Sequence, residues 1–282
     1  MSTNTRPKIS PEELKSLLHP SEDSRFYLAL AIVIPLGLAM LWLSVTLVFI
    51  IVYIVFIIGI VWLTLQVAKA HLMANAVKVS DKNFPEINNV LNEVLYTLDY
   101  DKAVDVYIVE EGTVNAFLYK FFETKFIVLN SELVEDMLAH DSLLQAKWVI
   151  ARFVGGLKAK HYRLTLLRIL IDSIEKIKIF NLFLLPYERA VNYSGDQIGL
   201  AVCGDLNQSM TAFQKFMVGN VLSKRVNFHG IQEQREEKNF FTVMARLSSS
   251  HPHVIDRFYN LLSFAKNKYP EMYSGYMRSK SR

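Results

Sequence analysis

The longest apolar stretch of the chain lies near the N-terminus, where no charged residue occurs from Phe26 to Ala68. As one helix this stretch would extend about 65 Å, which is twice the ~30 Å hydrocarbon core of a bilayer. Two helices of roughly 20 residues fit a bilayer better. The pattern therefore predicts a transmembrane helical hairpin at residues 26–68, with its turn near Trp42 to Thr46, after a leader at residues 1–25.

Beyond residue 70 the pattern becomes that of a globular domain, which we expect to occupy residues 70–265. Apolar positions recur with a helical period from Phe84 to Leu98 and alternate as in a strand from Asp101 to Glu110. A short apolar run from Phe126 to Leu129 predicts a second strand. Further helices are predicted at residues 131–138, 142–162, 187–206, 208–222 and 254–266. The expected fold class is α+β, mostly helical with a small sheet, and the basic residues 266–282 are expected to form a tail.

The Leu- and Ile-rich segment from Leu164 to Leu185 is a candidate for a third membrane span. It contains the charged residues Arg168, Asp172, Glu175, Lys176 and Lys178. Each charge near the centre of a span costs about 2.5–3.5 kcal/mol, so we reject a span here. An amphipathic helix that packs on the domain and one that lies in the membrane interface both remain open.

The distribution of charge predicts the orientation of the hairpin. Lys and Arg residues flank the apolar stretch on both sides, and the expected turn has none. By the positive-inside rule, both termini and the main domain should then face the cytoplasm. The net charge of +4 suits a domain beside an anionic bilayer and is too small to indicate a nucleic-acid partner. The single cysteine, Cys203, agrees with a reducing compartment.

Four stretches of the domain carry a resemblance to a known family. They are Gly112–Phe117 (G-T-V-N-A-F), Val149–Gly156 (V-I-A-R-F-V-G-G), Tyr187–Leu200 and Ser250–Pro252, with Arg257 after the last. Together they resemble the HtpX-like family of membrane-bound zinc metallopeptidases, over about residues 75–265. The apolar stretch matches the membrane anchor of that family. The resemblance implies a zinc-metallopeptidase-like fold in an integral membrane protein, which we expect in the bacterial inner membrane.

The chain departs from the family at the positions that carry the chemistry. The family has the motif H-E-x-x-H, in which two His on one helix face bind zinc and the Glu activates a water molecule. Here Arg152 and Gly156 stand at the His positions, and Phe153 stands at the Glu position. Asn192 stands where the family has the Glu that supplies the third ligand. The resemblance therefore implies a degenerate site with no catalytic residue, and we expect neither zinc nor another cofactor.

Other sites of metal or nucleophile chemistry have little support in the sequence. His251 and Asp196 can meet in the cleft, but two ligands do not make a zinc site. Cys203 has no His nearby in the sequence, which favours a buried structural thiol. The residues therefore indicate no replacement for the lost zinc site.

Three residues of the family's cleft are retained, namely Asp196, His251 and Arg257. In zinc peptidases of this type, the equivalent of Asp196 orients the first His ligand. Because Arg152 replaces that His, we hypothesise an ion pair between Arg152 and Asp196, with a surface position for Arg152 as the alternative. Phe153 is expected to fill the cleft, and Gly156 is expected to let another helix approach.

The resemblance also implies a strand to which substrate backbone adds. To this element it assigns Asn115, Ala116 and Phe117 together with Phe126, Ile127 and Val128. We expect the edge strand itself at Phe126 to Leu129. Main-chain pairing between an edge strand and a peptide needs no metal.

These features favour a catalytically inactive, membrane-anchored metallopeptidase homologue. Such a protein would bind a protein or peptide partner and regulate a protease or a membrane complex. One alternative is an active zinc metalloendopeptidase with non-standard ligands. Another is a structural subunit of a membrane assembly in which the old groove is filled, and an open groove would argue against it.

Overall fold

A computed structural model of the chain describes residues 22–121, 124–140, 142–164, 167, 171, 181–236, 244 and 253–280. The chain divides into two compact units, Met1–Gly59 and Ile60–Arg282. Most of the apolar segment Leu164 to Leu185 lies outside the described residues, as does the predicted cleft residue His251. The two interpretations of that segment stay open.

The apolar N-terminal stretch forms one helix, α1, over Glu22–Asn75. It is long and apolar enough to cross a membrane. The structure does not show the predicted hairpin, because the helix continues through Trp42 to Thr46. This segment contains no Gly, Pro or Asn to form a turn. The Ser44 and Thr46 hydroxyls instead donate to the carbonyls of Leu41 and Trp42 within the helix.

A four-stranded mixed sheet lies in the second unit. Its strands are β1 (Val77–Lys78), β2 (Asp105–Val109), β3 (Ala116–Phe121) and β4 (Thr124–Asn130). The order across the sheet is β1-β2-β4-β3. The β2–β4 pair is parallel, and the β1–β2 and β3–β4 pairs are antiparallel. The sequence pattern predicted β2 and β4; it did not predict β1, or β3 as a strand separate from β4.

The two faces of the sheet are covered differently. Alternate residues of β2 and β4, such as Val106 and Ile127, pack into the main core of the domain. The opposite face carries Tyr107, Phe126 and Val128, and the C-terminal end of α1 contributes Leu72 to this smaller cluster. Strand alternation therefore places two apolar layers on the sheet, which explains why β4 reads as a continuous apolar run.

The remaining elements are helical. They are α2 (Pro85–Thr97), α3 (Ser131–Ala139), α4 (Leu143–Lys158), α5 (Asn181–Cys203), α6 (Leu206–Val218), α7 (Asn220–Ser223), α8 (Phe228–Glu236), α9 (Val254–Lys268) and α10 (Pro270–Lys280). A single 3-10 turn, His161–Leu164, follows α4. Helix α5 ends at Cys203, and Gly204 follows with a φ of 73°. That conformation favours glycine.

Helices α4 and α5 cross at unusually close range because glycines line their contact. A Cβ atom on Gly155 of α4 would lie 2.3 Å from Cγ2 of Ile198. One on Gly199 of α5 would lie 2.9 Å from the backbone oxygen of Trp148, whose ring is fully buried. The two helices thus bring Arg152 and Asp196 to the same place in the core.

The C-terminal residues form a packed helix and not the predicted basic tail. Pro270 begins α10, Glu271 lies in its first turn, and Arg278 and Lys280 lie in its last turn. This charge order is favourable for a helix dipole. Tyr276 is only 3% exposed and belongs to the main core. The apolar residues of this segment recur with a helical period, which its many Lys and Arg residues obscure: Tyr269, Met272, Tyr273, Tyr276 and Met277.

Candidate functional site

Three of the four positions that depart from the peptidase motif line one cavity of ≈ 590 Å³, and Gly156 is not part of its wall. Arg152 and Phe153 reach it from α4, and Asn192 reaches it from α5. Arg257 of α9 and residues 114–119, which include the start of β3, form other parts of the wall. The structure therefore brings together three of the motif positions, the retained cleft residue Arg257 and the Asn115 to Phe117 part of the strand element that the resemblance assigned to substrate.

Asp196 forms the centre of the polar cluster beneath this cavity and is 0% exposed. Arg257 holds its carboxylate with two hydrogen bonds, from Nε to Oδ2 at 2.9 Å and from Nη2 to Oδ1 at 2.8 Å. Arg152 Nε lies 3.5 Å from Oδ1 of the same carboxylate. The hypothesised pair between Arg152 and Asp196 is present, but Arg257 is the closer partner. The cluster therefore joins three helices through two guanidinium groups and one carboxylate.

Aromatic rings hold the Arg152 guanidinium in place. Its Cζ lies 5.5 Å from the centre of the Trp148 ring and 5.2 Å from that of Phe153. Burial, together with the nearby charge of Arg257, lowers the pKa of Arg152 to about 10, and Asp196 opposes this shift. Arg152 is therefore still a cation at neutral pH. Phe153 lines the cavity beside this cation.

Gly156 has a different neighbour from the one predicted. A Cβ atom there would lie 3.1 Å from the Tyr162 ring and 3.4 Å from Nδ1 of His161. The 3-10 turn after α4 therefore covers this position, whereas the close approach of another helix occurs one residue earlier, at Gly155. Burial raises the pKa of Tyr162 to about 12, so its hydroxyl stays neutral.

His161 contributes a second polar group to the cavity wall. Its Nδ1 atom is buried and has no hydrogen-bond partner among the described residues. Burial and the charge of Arg163 lower the pKa of His161, so the ring is mostly neutral at neutral pH. His161 is not among the site residues predicted from the sequence, because no pattern indicated the 3-10 turn that carries it.

The residues at the motif positions do not fit the zinc ion that the family resembled by the sequence binds there. Gly156 has no side chain, and the Nδ2 atom of Asn192 donates to the Glu188 carbonyl at 2.9 Å. Arg152 places a cation where the family has a metal ligand, and the nearest carboxylate is already bound by two guanidinium groups. In the described part of the chain, no three His, Cys, Asp or Glu side chains form a group that could hold a metal ion.

The strand assignment is corrected by the sheet order. Among the described strands β3 lies at the edge, whereas β4 is paired with β2 on one side and with β3 on the other. Strand β4 is therefore already paired on both sides, and a peptide cannot add to it at Phe126, Ile127 or Val128. Ala116 and Phe117 do lie on the edge strand. The run Phe126 to Leu129 is apolar on both faces, which is typical of a strand in the interior of a sheet.

Backbone hydrogen bonding shows which groups of β3 face away from β4. The Asn130 N–H donates to the Asn115 carbonyl at 3.1 Å, and these residues are directly opposite in the β3–β4 register. In an antiparallel pair, bonded and non-bonded positions alternate, so the N–H and C=O of Leu118 point away from β4. The Ala116 N–H, on the same side, is bound by the Asn115 side-chain oxygen at 2.8 Å.

One comparison with known proteins supports the metallopeptidase class that the sequence resembles. Residues 147–265 match the model of Peptidase family M48. This region includes most of α4 and all of α5, together with Arg257 of α9, so it covers the polar cluster. The match supports the M48 metallopeptidase family for this domain. The chain matches no curated protein and no solved structure.

Proposed function

We propose that the chain is a membrane-anchored, catalytically inactive homologue of M48 peptidases that binds an extended peptide segment of a partner protein. The observation that carries this proposal is a single cavity that joins a strand edge to a guanidinium group at the expected metal position. By binding such a segment, the chain would regulate a protease or a membrane complex. An open cavity of ≈ 590 Å³ favours this function over a structural subunit with a filled groove.

Loss of hydrolysis is the first expected result. Zinc-dependent hydrolysis of a peptide bond needs three protein ligands for the metal and a general base beside the bound water. None of Arg152, Phe153, Gly156 and Asn192 supplies them. Purified full-length chain in detergent, after incubation with zinc and dialysis, should contain well below one zinc per chain and should not cleave casein.

A chain with unorthodox ligands would give a different result in the same assays. Stoichiometric zinc and casein cleavage, both lost in His251→Ala, would establish the active metalloendopeptidase and remove the proposal of inactivity. His71→Ala is the matched control, because that residue lies on α1 outside the cavity.

Strand addition at β3 is the binding mode that the sheet edge supports. The Leu118 N–H and C=O face away from β4, and Val114 to Tyr119 line the cavity, so an extended peptide there can continue the sheet. Phe117 and Tyr119 are each 38% exposed, on the face opposite Leu118. Main-chain bonds would give affinity, and the cavity would select side chains.

Proline at position 118 should weaken peptide binding without breaking the sheet. Proline removes an N–H that does not pair with β4, and edge strands tolerate such a substitution. A lost neutral hydrogen bond with an orphaned partner costs about 1–3 kcal/mol, which is roughly tenfold or more in Kd. Peptides selected on the wild-type chain from a displayed random library, then labelled, should bind Leu118→Pro about tenfold more weakly by fluorescence anisotropy.

The matched control for this prediction is Leu118→Ala. It removes the side chain that packs on the core and keeps the N–H, so its Kd should stay within about threefold of the wild-type value. Circular dichroism checks that both variants are folded. If folded Leu118→Pro binds the peptides as tightly as Leu118→Ala, strand addition at this edge is not the binding mode.

The membrane topology belongs to the same proposal. A helix of 54 residues extends about 80 Å, so one straight crossing would leave much of its apolar surface in water. We therefore keep two spans with both ends in the cytoplasm of a bacterial cell as the arrangement in the inner membrane. The charges at both ends of the stretch favour it.

Cysteine labelling tests this topology. Cys203 is buried and burial raises the pKa of its thiol, so the native chain should give little background. With two spans, an impermeant maleimide added to intact spheroplasts should label Ser44→Cys and not Asp81→Cys. Labelling of Asp81→Cys in intact spheroplasts would contradict the proposed orientation. Failure of the maleimide to label Ser44→Cys would contradict the two spans.

A further inference from the structure

We infer that the cavity recognises a carboxylate of its peptide ligand, and that the guanidinium group of Arg152 binds it. The inference rests on the proposed peptide-binding function and adds the chemical class of the ligand. Two kinds of peptide carry such a group: one that ends at the cavity with its C-terminal carboxylate, and one that places an Asp or Glu side chain there.

The charge of the polar cluster is unbalanced. Two guanidinium groups, Arg152 and Arg257, share the single carboxylate of Asp196. Both arginine side chains are largely buried, at 13% and 15% exposure. None of the described residues that line the cavity is an Asp or Glu. An excess positive charge in a poorly solvated site attracts an anion more strongly than the same charge in water.

The excess charge is concentrated on Arg152. Arg257 uses Nε and Nη2 on Asp196, in the paired geometry that a carboxylate prefers. Arg152 approaches Asp196 only with its Nε, at 3.5 Å, so its two Nη groups make no contact with that carboxylate within 3.5 Å. The Trp148 and Phe153 rings fix the guanidinium plane, which reduces the entropy lost when a ligand binds.

A second donor lies on the same cavity wall. His161 Nδ1 is buried without a hydrogen-bond partner among the described residues. A buried polar atom without a hydrogen-bond partner raises the free energy of the folded chain. A ligand that forms a hydrogen bond with it removes this penalty. In the tautomer that carries the proton on Nδ1, the neutral ring can donate to a carboxylate oxygen. Arg152 and His161 thus line the same cavity, and both side chains are of a type that can donate to a carboxylate.

The strand edge determines how such a ligand would lie. Residues 114–119 and Arg152 line the same cavity, so a peptide that pairs with Leu118 passes beside the guanidinium group. Main-chain pairing does not discriminate among sequences, whereas a bound carboxylate does. The two features together would give a ligand whose backbone is held by β3 and whose acidic group is held by Arg152.

Three pools of random octapeptides test this inference on the full-length chain in detergent. The first pool has a free C-terminal carboxylate and no Asp or Glu. The second has a C-terminal amide and one Asp or Glu, and the third has the amide and no acidic residue. Equilibrium dialysis followed by mass spectrometry measures the enrichment of each pool. We expect the first or the second to be enriched about tenfold or more over the third.

Substitutions on α4 assign this preference to one residue. Arg152→Gln should remove the preference and leave the weaker binding that all pools share, while Arg152→Lys should retain part of it. Lys158→Gln is the matched control, because it removes the same charge from the exposed end of the same helix. If Arg152→Gln does not fold, the three pools on the wild-type chain still test recognition of a carboxylate.

The outcomes separate this inference from the proposed function. Enrichment of the first pool identifies a C-terminal carboxylate, and enrichment of the second identifies an acidic side chain; either supports the inference. Equal binding of all three pools overturns it and leaves strand addition intact, whereas binding of none overturns both. A preference that persists in folded Arg152→Gln overturns the role of that residue.

Discussion

Asp196→Asn should destabilise the domain by about 3–5 kcal/mol, because it removes one partner of a buried ion cluster. The carboxylate is 0% exposed and accepts two hydrogen bonds from Arg257, with Arg152 also at 3.5 Å. Asparagine has nearly the same shape and no charge, so two buried cations would be left facing one another. For a domain of about 200 residues, each kcal/mol of lost stability lowers the Tm by roughly 2–4 °C. Thermal unfolding followed by circular dichroism measures this change.

Asp99→Asn is the control for this prediction. Asp99 also pairs with a basic residue, as Lys158 Nζ lies 3.1 Å from its Oδ2, but its side chain is 99% exposed. Exposed ion pairs are screened by water, so Tm should not change measurably. An equal Tm for Asp196→Asn and the wild-type chain would mean that the cluster does not stabilise the junction of the three helices.

Helical spacing made part of this site predictable from the sequence. The expected pair of Arg152 and Asp196 followed from where those residues stand relative to a known motif, and the structure places the two side chains together. The stronger partner, Arg257, lies 61 residues beyond Asp196. The sequence named Arg257 as a cleft residue but gave no reason to pair it with Asp196, because contacts over that distance depend on how helices pack.

The sequence also contains a signal of the close contact between α4 and α5. Gly195 and Gly199 lie four residues apart and therefore share one face of α5, which indicates close contact with another helix. The prediction placed that contact at Gly156 of the partner helix, whereas Gly155 makes it. Neighbouring residues on a helix point about 100° apart, so an error of one position exchanges a helix contact for a contact with the following turn.

The interior position of β4 could have been predicted from its residue pattern. The run at β4 was read as an edge strand, yet it pairs on both sides. A strand with apolar residues on both faces is typical of the interior of a sheet, so the continuous run Phe126 to Leu129 was itself evidence against an edge position. The weaker alternation in β3, with Phe117 and Tyr119 partly exposed, fits an edge strand better.

The close crossing of α4 and α5 leads to the second large effect, in Gly199→Ala. The added methyl group would lie 2.9 Å from Cδ1, Nε1 and the backbone oxygen of Trp148. A side chain can move aside more easily than a helix backbone, and this helix lies in the centre of the core. We expect a loss of about 1–3 kcal/mol in the free energy of unfolding, even after the higher helix propensity of alanine is counted.

The same substitution should also weaken ligand binding, since Trp148 supports the Arg152 guanidinium. Gly275→Ala provides a control that should change the free energy of unfolding in the opposite direction. Gly275 lies in α10 with no atom within 4 Å of the added Cβ, so alanine there should stabilise by about 0.5–1 kcal/mol through helix propensity. Urea unfolding of both variants gives the comparison. If Gly199→Ala were as stable as Gly275→Ala, the two helices would not depend on glycine for their approach, and the geometry that aligns Arg152 with Asp196 would need another cause.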